Sequence, residues 1–485
     1  CLSRGLGDVY KRQGHILPTV RIQKIELENF KSVKHGEVLF NCGRRVVSQD
    51  TESDILGIYG QNGSGKTSVI EAIAILERAM AGDAIPARYS ECISPGADYA
   101  SLSFTFDLQY PVENGFTRTV IYSFKIKAVP NDKPEDRDEL RSISSLFPNK
   151  VRIFDETITA AGFFGGEIQK KQDILTTAAG SYPIGPGRKI PCYVGEDKDA
   201  IIVDLEVNKR SAAKDSKSFI FLDETLDVFY QHSNYSEYFQ ILMELRNYAC
   251  LYLYAVDTRT SGIGAVLSVP LNTRQGVLGL NLMGVSRMPQ RIFEDLEFFV
   301  AGINTVLPAL VTDLKLELVH DEIVMEGKKG QEVRLYSRRK DVQIPLRDES
   351  AGIIKLISVL SLIIATFNDR SITVAIDELD AGIYEYLLGE ILSGLETYGK
   401  GQFVFTSHNL RPLEVLKKEN LVFTTANPEN RYIRLKGVGR TNNLRSLYLR
   451  EILGNDQDEQ IYDAAKRQRM IAAFMKAGVG FAKKE

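Results

Sequence analysis

The chain has 485 residues, 44% hydrophobic and 25% charged, with a formal net charge of −3. That composition suits a globular protein of roughly two or three domains, and with no overall basic excess any contact with nucleic acid must rest on a local patch. The five cysteines form no C-x-x-C pair, which fits reduced thiols in a cytoplasm and argues against a disulfide framework or a cysteine zinc site.

In chain order, residues 1–13 (CLSRGLGDVYKRQ) come first. They lack the apolar core of a signal peptide. The run DVYKRQ resembles a translated sequencing adapter, so this leader reads as non-native, with the natural chain beginning near Gly14 or later. Residues 20–40 alternate apolar and polar on both sides of Asn29-Phe30-Lys31-Ser32, the pattern of two antiparallel strands joined by a short turn. Residues 54–59 read as a buried strand, and residues 67–81 as a helix. Between them lies GQNGSGKT, which fits G-x-x-x-x-G-K-[ST] with Gly60, Gly65, Lys66 and Thr67. Strand, glycine-rich loop and helix in that order make a phosphate cradle. The backbone from Gly60 through Gln61, Asn62, Gly63, Ser64 and Gly65 to Ser68 turns its N–H groups inward at a helix N-terminus. Lys66 can reach β- and γ-phosphates, and the Thr67 hydroxyl can hold Mg²⁺.

Residues 100–108 and 117–128 alternate as further strands, and the charged, proline-containing stretch 131–141 reads as a boundary. The segment 131–288 is expected to be an insertion. Within it, 178–192 reads as loop, 224–247 as an aromatic-rich helix and 251–256 as a buried strand. The Phe and Tyr stripe reads as core packing rather than base stacking. No long heptad run marks an extended coiled coil. Acids clustered at 196–204 bear a faint Toprim-like pattern that reads as chance.

From 289 onward the alternation sharpens: a helix over 291–310, strands over 313–319 and 332–337, and a Ser-Ala-Gly turn leading into an apolar helix over 348–366. A strand at 371–376, a helix at 383–397 and a strand at 402–406 follow, which indicates a parallel α/β core. The longest apolar stretches, near 298–311 and 353–367, are short for a membrane span, and the second carries Lys355, so both read as buried core helices.

The strand at 371–376 ends in Asp377-Glu378. Asp377 is placed to hold Mg²⁺, directly or through water, and Glu378 to take a proton from an attacking water. Residues 218–224 (SFIFLDE) have the same local form, but Asp377-Glu378 alone has Ser350 of RDESAG upstream and His408 of FTSH downstream. The copy at Asp223-Glu224 is therefore rejected.

In this order, the P-loop, the Ser-x-Gly element, the Asp-Glu strand and the Thr-Ser-His strand resemble the ABC/SMC-like ATPase class. LENFKS and DESAGI narrow the resemblance to AAA-type ATPases related to RecF and to the ATPase half of OLD-family and other antiphage systems. The resemblance covers about residues 20–128 and 289–435. It implies an α/β P-loop NTPase head, an antiparallel β lobe plus a RecA-like parallel sheet. The expected division is 14–130 and 289–440 as the two parts of the head, a compact inserted α/β region at 131–288, and C-terminal helices at 441–485. It also implies that Ser350, helped by the helix beginning at Gly352, touches the γ-phosphate of ATP held by a second subunit. By the same resemblance Asp380 sits in the loop crossing the dimer interface, His408 senses γ-phosphate, and Lys31 and Ser32 lie near the nucleotide. Ala351 and Ile353 depart from the transporter-type LSGGQ signature. The Q-loop glutamine has no clear counterpart, since the surroundings of Gln109 do not match.

On this reading the protein hydrolyses ATP with Mg²⁺ and forms a homodimer around ATP. It serves as a sensor or motor subunit in antiphage defence or DNA maintenance, with a separate nuclease or Toprim-type effector and no membrane partner. A transporter ATPase subunit and a non-hydrolysing ATP-dependent clamp are the competing readings. The basic set Arg431, Arg434, Lys436, Arg440, Arg445, Arg450, Lys466, Arg467 and Arg469 reads first as a solvated face, and second as a patch for nucleic-acid phosphates. A last helix over 459–476 could dock a partner.

Overall fold

The computed structural model describes residues 17–40, 54–111, 116–131, 147–178, 181, 183–195, 198–233, 236–257, 266–270, 277–281, 284–325, 327–435, 444–454, 469–470, 473–474 and 476. The expected boundary at 132–141 and most of the helix expected at 459–476 lie outside them.

β1 (Thr19–Phe30) and β2 (Val33–Leu39) form the expected antiparallel pair. Their alternation buries Ile25, Leu27 and Val38 on one face, the signature of a sheet wet on one side. β3 (Asp54–Tyr59) and α1 (Lys66–Ala81) flank the P-loop. β4 (Ala100–Tyr110), β5 (Phe116–Pro130), β6 (Asn149–Phe164) and β7 (Glu167–Thr176) extend the first sheet in the order β2-β1-β4-β5-β6-β7.

The segment expected as an insertion feeds both sheets of the head. β6 and β7 continue the antiparallel sheet. Beyond them come α2 (Lys198–Lys214), α3 (Asp223–His232), α4 (Glu237–Leu251) and then β8 (Leu253–Val256), which joins the parallel sheet. Two local expectations change here. The helix read over 224–247 breaks between α3 and α4, where Ser236 caps α4 by accepting from the Phe239 N–H at 3.3 Å. The apolar run Phe219–Leu222 is a buried turn, not a strand. It carries the chain into α3, whose first residue Asp223 pairs with Arg246. Hydrophobicity there serves burial rather than a ladder. Phe229, Phe239 and Tyr248 are buried in the core, as the aromatic stripe suggested.

After the hairpin β9 (Val266–Pro270) and β10 (Val277–Asn281) come β11 (Val285–Pro289), α5 (Gln290–Leu310), β12 (Leu314–Met325), β13 (Lys328–Arg339) and β14 (Val342–Pro345). β11 to β14 make a separate antiparallel sheet, so the strands read at 313–319 and 332–337 do not join the parallel core. α6 (Ala351–Asn368), β15 (Thr373–Ile376), α7 (Glu385–Tyr398), β16 (Gln402–Thr406), β17 (Leu421–Thr424), β18 (Tyr432–Ile433) and α8 (Leu444–Gly454) complete the chain.

The second large sheet runs β18-β17-β3-β16-β15-β8, parallel throughout except for β18. Helices cover both faces, α1 on one and α6 and α7 on the other, so β3, β15, β16 and β17 are buried along their whole length. α6 is long and apolar enough to cross a membrane by length and composition, but most of it is buried in this core. Gln402 on β16 joins the two sheets. Its amide donates to Ile22 O at 2.8 Å and to Asp54 Oδ2 at 2.5 Å, and it accepts from the Ile22 N–H at 3.1 Å.

Glu77 on α1 has its carboxyl turned in against β8, where it accepts from the Ala255 N–H at 3.2 Å. Burial raises its carboxyl pKa to about 8. The folded chain therefore holds a proton that the unfolded chain releases near pH 4.5. Stability from this group is complete below the unfolded pKa and is lost as pH rises through the folded one. Denaturant titrations between about pH 5 and pH 9 should show the wild type losing stability relative to Glu77→Gln as pH rises; parallel curves would refute a proton on Glu77.

Candidate functional site

The parallel sheet brings the ends of β3, β15 and β16 to one edge, where the P-loop, Asp377-Glu378 and Ser407-His408 emerge side by side. Gly63 and Gly65 have φ of 77° and 95°, a left-handed conformation that lets successive N–H groups face one centre. A side chain at Gly65 would also press on Val33 and the Tyr432 hydroxyl. Neighbours hold the loop from outside. The Ser64 hydroxyl donates to Gln61 O at 2.6 Å and lies against Thr424 Oγ1, Thr424 donates to Tyr59 O at 3.2 Å, and the Tyr432 hydroxyl donates to Gly65 O at 2.7 Å. Asn62 and Gly63 are exposed at the tip, and Ser68 is buried beside Thr67.

Lys66 Nζ donates to Gly60 O at 2.8 Å and Gln61 O at 2.9 Å. Burial lowers its pKa, and Asp377, Glu378 and Asp380 oppose that shift. Asp377, 1% exposed, accepts at Oδ1 from Thr406 Oγ1 at 2.5 Å and Thr67 Oγ1 at 3.3 Å. Its own N–H donates to Val256 O at 2.9 Å. Thr406 Oγ1 also accepts from the Glu378 N–H at 2.8 Å, so one hydroxyl orients both acidic residues. Glu378 has φ of 47°, a strained conformation for a non-glycine residue, which turns its half-buried side chain off the line of the strand. Thr67 and Asp377 present hard oxygens on a buried floor. This donor set fits Mg²⁺, which takes one or two protein oxygens and completes its shell from phosphate and water. No cluster of three or more acidic, His or Cys side chains that could hold a metal occurs among the described residues.

Asp380 Oδ2 accepts from the backbone N–H groups of His408 at 3.1 Å and Asn409 at 3.0 Å, which ties the loop after Glu378 to the loop after β16. His408 itself is exposed. Ser350 caps α6, its Oγ accepting from the Ile353 N–H at 3.3 Å, and it makes no bond to the P-loop. Gly352 approaches the Asp380 loop so closely that a Cβ there would lie 2.0 Å from Gly382 O. Lys66, Thr67, Asp377 and Glu378 thus form one group, Asp380 and His408 a second beside it, and Ser350 and Gly352 a third that joins through Gly382. Lys31 pairs with Glu71 on α1, and Ser32 O accepts from Arg431, so this turn braces the P-loop helix.

Sequence reasoning missed several contributors. Lys355, buried on α6, has its pKa lowered by burial, with Asp377, Glu378 and Asp380 acting the other way; in the sequence it only interrupted an apolar run. Asp257 ends β8 beside Asp377, because Val256 pairs with Ile376. It is buried and accepts from Arg88 at 2.8 Å and the Tyr89 hydroxyl at 3.3 Å. Nothing in the sequence points across that distance. Of the basic set, Arg431 donates to Thr425 O, Arg434 to Leu39 O, and Arg445 to Glu414, so these three serve the head's own structure. Lys436, Arg440, Lys466 and Arg467 lie outside the described residues.

The parallel sheet, the antiparallel lobe and the P-loop with the two acidic and histidine-bearing loops beside it define an α/β P-loop NTPase fold. Residues 24–107 match the family model of an AAA domain. The DNA replication and repair protein RecF of Chlorobium phaeovibrioides is 34% identical over 94 residues, 19% of this chain and 22% of that protein. The chain thus matches only about a fifth of the curated relative's length. Among solved structures it is similar to the Smc head domain of Pyrococcus furiosus with an extended coiled coil bound to the C-terminal domain of ScpA. That pair is 13% identical, covering 86% of this chain and 96% of the other, with a TM-score of 0.38. It is also similar to the recombination mediator RecF with ATP, at 13% identity over 81% and 93% of the two chains, with a TM-score of 0.33.

Replacing Thr406 by Val keeps the shape but removes both bonds that organise Asp377 and Glu378. Urea unfolding should show a loss of about 1–3 kcal/mol, the cost of stranding buried polar groups. Stability equal to wild type would mean that the hydroxyl does not hold the acidic pair.

Proposed function

We propose that this chain is an ATP-hydrolysing switch whose catalytic centre is completed by a second copy of itself. Lys66 and the P-loop N–H groups bind the triphosphate. Mg²⁺ held by Thr67 and Asp377 would neutralise phosphate charge. Glu378 accepts the proton of a water whose oxygen attacks the γ-phosphorus, and ADP leaves as the bond to its β-phosphate oxygen breaks. The observation that carries this reading is the shared Thr406 hydroxyl, which holds Asp377 inward and sets Glu378 at its strained turn beside Thr67.

Ser350 heads an exposed helix N-terminus and makes no bond to its own P-loop, which suits a role on the nucleotide of a partner copy. Asp380 and His408 report the state of the γ-phosphate across that interface. ATP then binds the two copies together, and hydrolysis releases them. The setting we infer is cytoplasmic DNA maintenance or antiphage defence, with a separate nuclease or Toprim-type effector. The relative named for DNA replication and repair supports the first of these.

Phosphate release from wild type and from Glu378→Gln tests the chemistry. Loss of the general base should reduce the rate by about 10²–10⁴-fold. The variant should still bind ATP and accumulate as a dimer in sizing experiments. A wild type that dimerises with ATP but releases no phosphate, alone or with DNA, would instead identify a non-hydrolysing clamp.

A further inference from the structure

Away from the P-loop, a cavity of about 420 Å³ opens between β6 and α2. Its volume falls within the range of small-molecule sites, about 300–1,000 Å³. Three cationic side chains line it: Arg152, Lys209 and Lys217. Its carboxylates are already engaged. Asp155 pairs with Lys125 at 3.0 Å. Glu156 is turned into the core, where it accepts from the Tyr122 hydroxyl at 2.7 Å, the Phe219 N–H at 2.8 Å and the Ser218 hydroxyl. Among the described residues neither Arg152 nor Lys217 makes an ion pair. Lys209 is half-buried and oriented by Thr177 O and Pro183 O at 3.4 and 3.2 Å. Arg152 and Lys217 are thus the cations at this cavity without an ion pair among the described residues, while Lys209 lies near the Glu156 and Asp155 carboxylates.

The backbone is distorted at this cavity. The β5–β6 register shifts between Ser123 and Lys125, opposite Asp155 and Glu156. Asp155 has φ of 51°, and Ser216, next to Lys217, has φ of 57°. A bulge re-aims side chains, and left-handed non-glycine residues cost energy that surrounding structure must hold. Both distortions flank the cationic wall. Phe154 and Phe219 line the same space, and Lys209 lies over the Phe219 ring at 5.9 Å.

We propose that this cavity is a second ligand site that takes a mononucleotide-sized organic phosphate, its phosphate on Arg152, Lys209 and Lys217 and its planar base against the half-buried Phe154. Guanidinium and ammonium groups suit a phosphate dianion, and a purine or pyrimidine offers a flat face to the ring. The site is independent of the P-loop chemistry. It would let a small phosphorylated molecule act on the antiparallel sheet whose first turn, at Lys31 and Ser32, braces the P-loop helix.

The test uses the full chain carrying Lys66→Ala to weaken triphosphate binding at the P-loop. Calorimetric titration with the four ribonucleoside 5′-monophosphates, and with the matching nucleosides, reads the second site. At least one monophosphate should bind, and its nucleoside should bind about tenfold more weakly or worse. Adding Arg152→Gln and Lys217→Gln, both away from the core, should weaken the monophosphate by about tenfold or more. With Lys66 restored, that pair of changes should leave ATP binding unaltered, which separates this site from the P-loop. No monophosphate binding up to about 10 mM, or binding indifferent to the Arg152 and Lys217 changes, would overturn the proposal.

Discussion

The bond between the Asp377 carboxylate and the Thr406 hydroxyl is the interaction on which the rest of the site depends. It joins the ends of two neighbouring parallel strands, and Thr67 brings the P-loop helix to the same oxygen. A buried carboxylate tolerates that position only when its lone pairs are occupied, so strand register, loop and helix must agree. The same hydroxyl accepts from Glu378 N–H and so fixes the turn that directs the second acid. Two buried amines, Lys66 and Lys355, face this acidic edge from the P-loop and from α6. The two amines thus offset part of the acidic charge, and Lys66 is held in place by Gly60 O and Gln61 O.

The head is built from two sheets that are stitched together. Gln402 reaches from the parallel sheet to β1, Glu77 reaches from α1 to β8, and Lys31 ties the β1–β2 turn to α1. A change at the antiparallel lobe therefore has short, buried routes to the P-loop helix. The middle third of the chain is part of this frame: β6 and β7 widen one sheet, and β8 forms the edge of the other beside β15. Its cationic cavity belongs to the same lobe.

Much of this was legible in the linear pattern. Alternation marked β1, β2, β4 and β5, where one face is buried and the other wet. Apolar runs marked β3, β15 and β16, which are covered on both faces. The P-loop glycines, Asp377-Glu378 and His408 stood at the ends of such strands, where loops of a parallel sheet collect. The failures have equally local causes. Phe219–Leu222 is apolar because it is buried as a turn, and its composition matches that of a strand. β12 and β13 pair with each other, a choice that alternation does not encode.

By itself the sequence determined the local chemistry: a phosphate cradle at residues 60–67, two acids at a strand end, and a Ser-Ala-Gly turn leading into an apolar helix. Those features depend on neighbours in the chain, on glycine conformations, strand periodicity and turn composition, so they can be read without a fold. Only the tertiary structure decided that Thr406 holds Asp377, that Asp257 and Lys355 stand beside the acids, and that Gly352 rests on Gly382. These contacts join residues far apart in the chain through sheet register and close packing, and no local pattern carries that information.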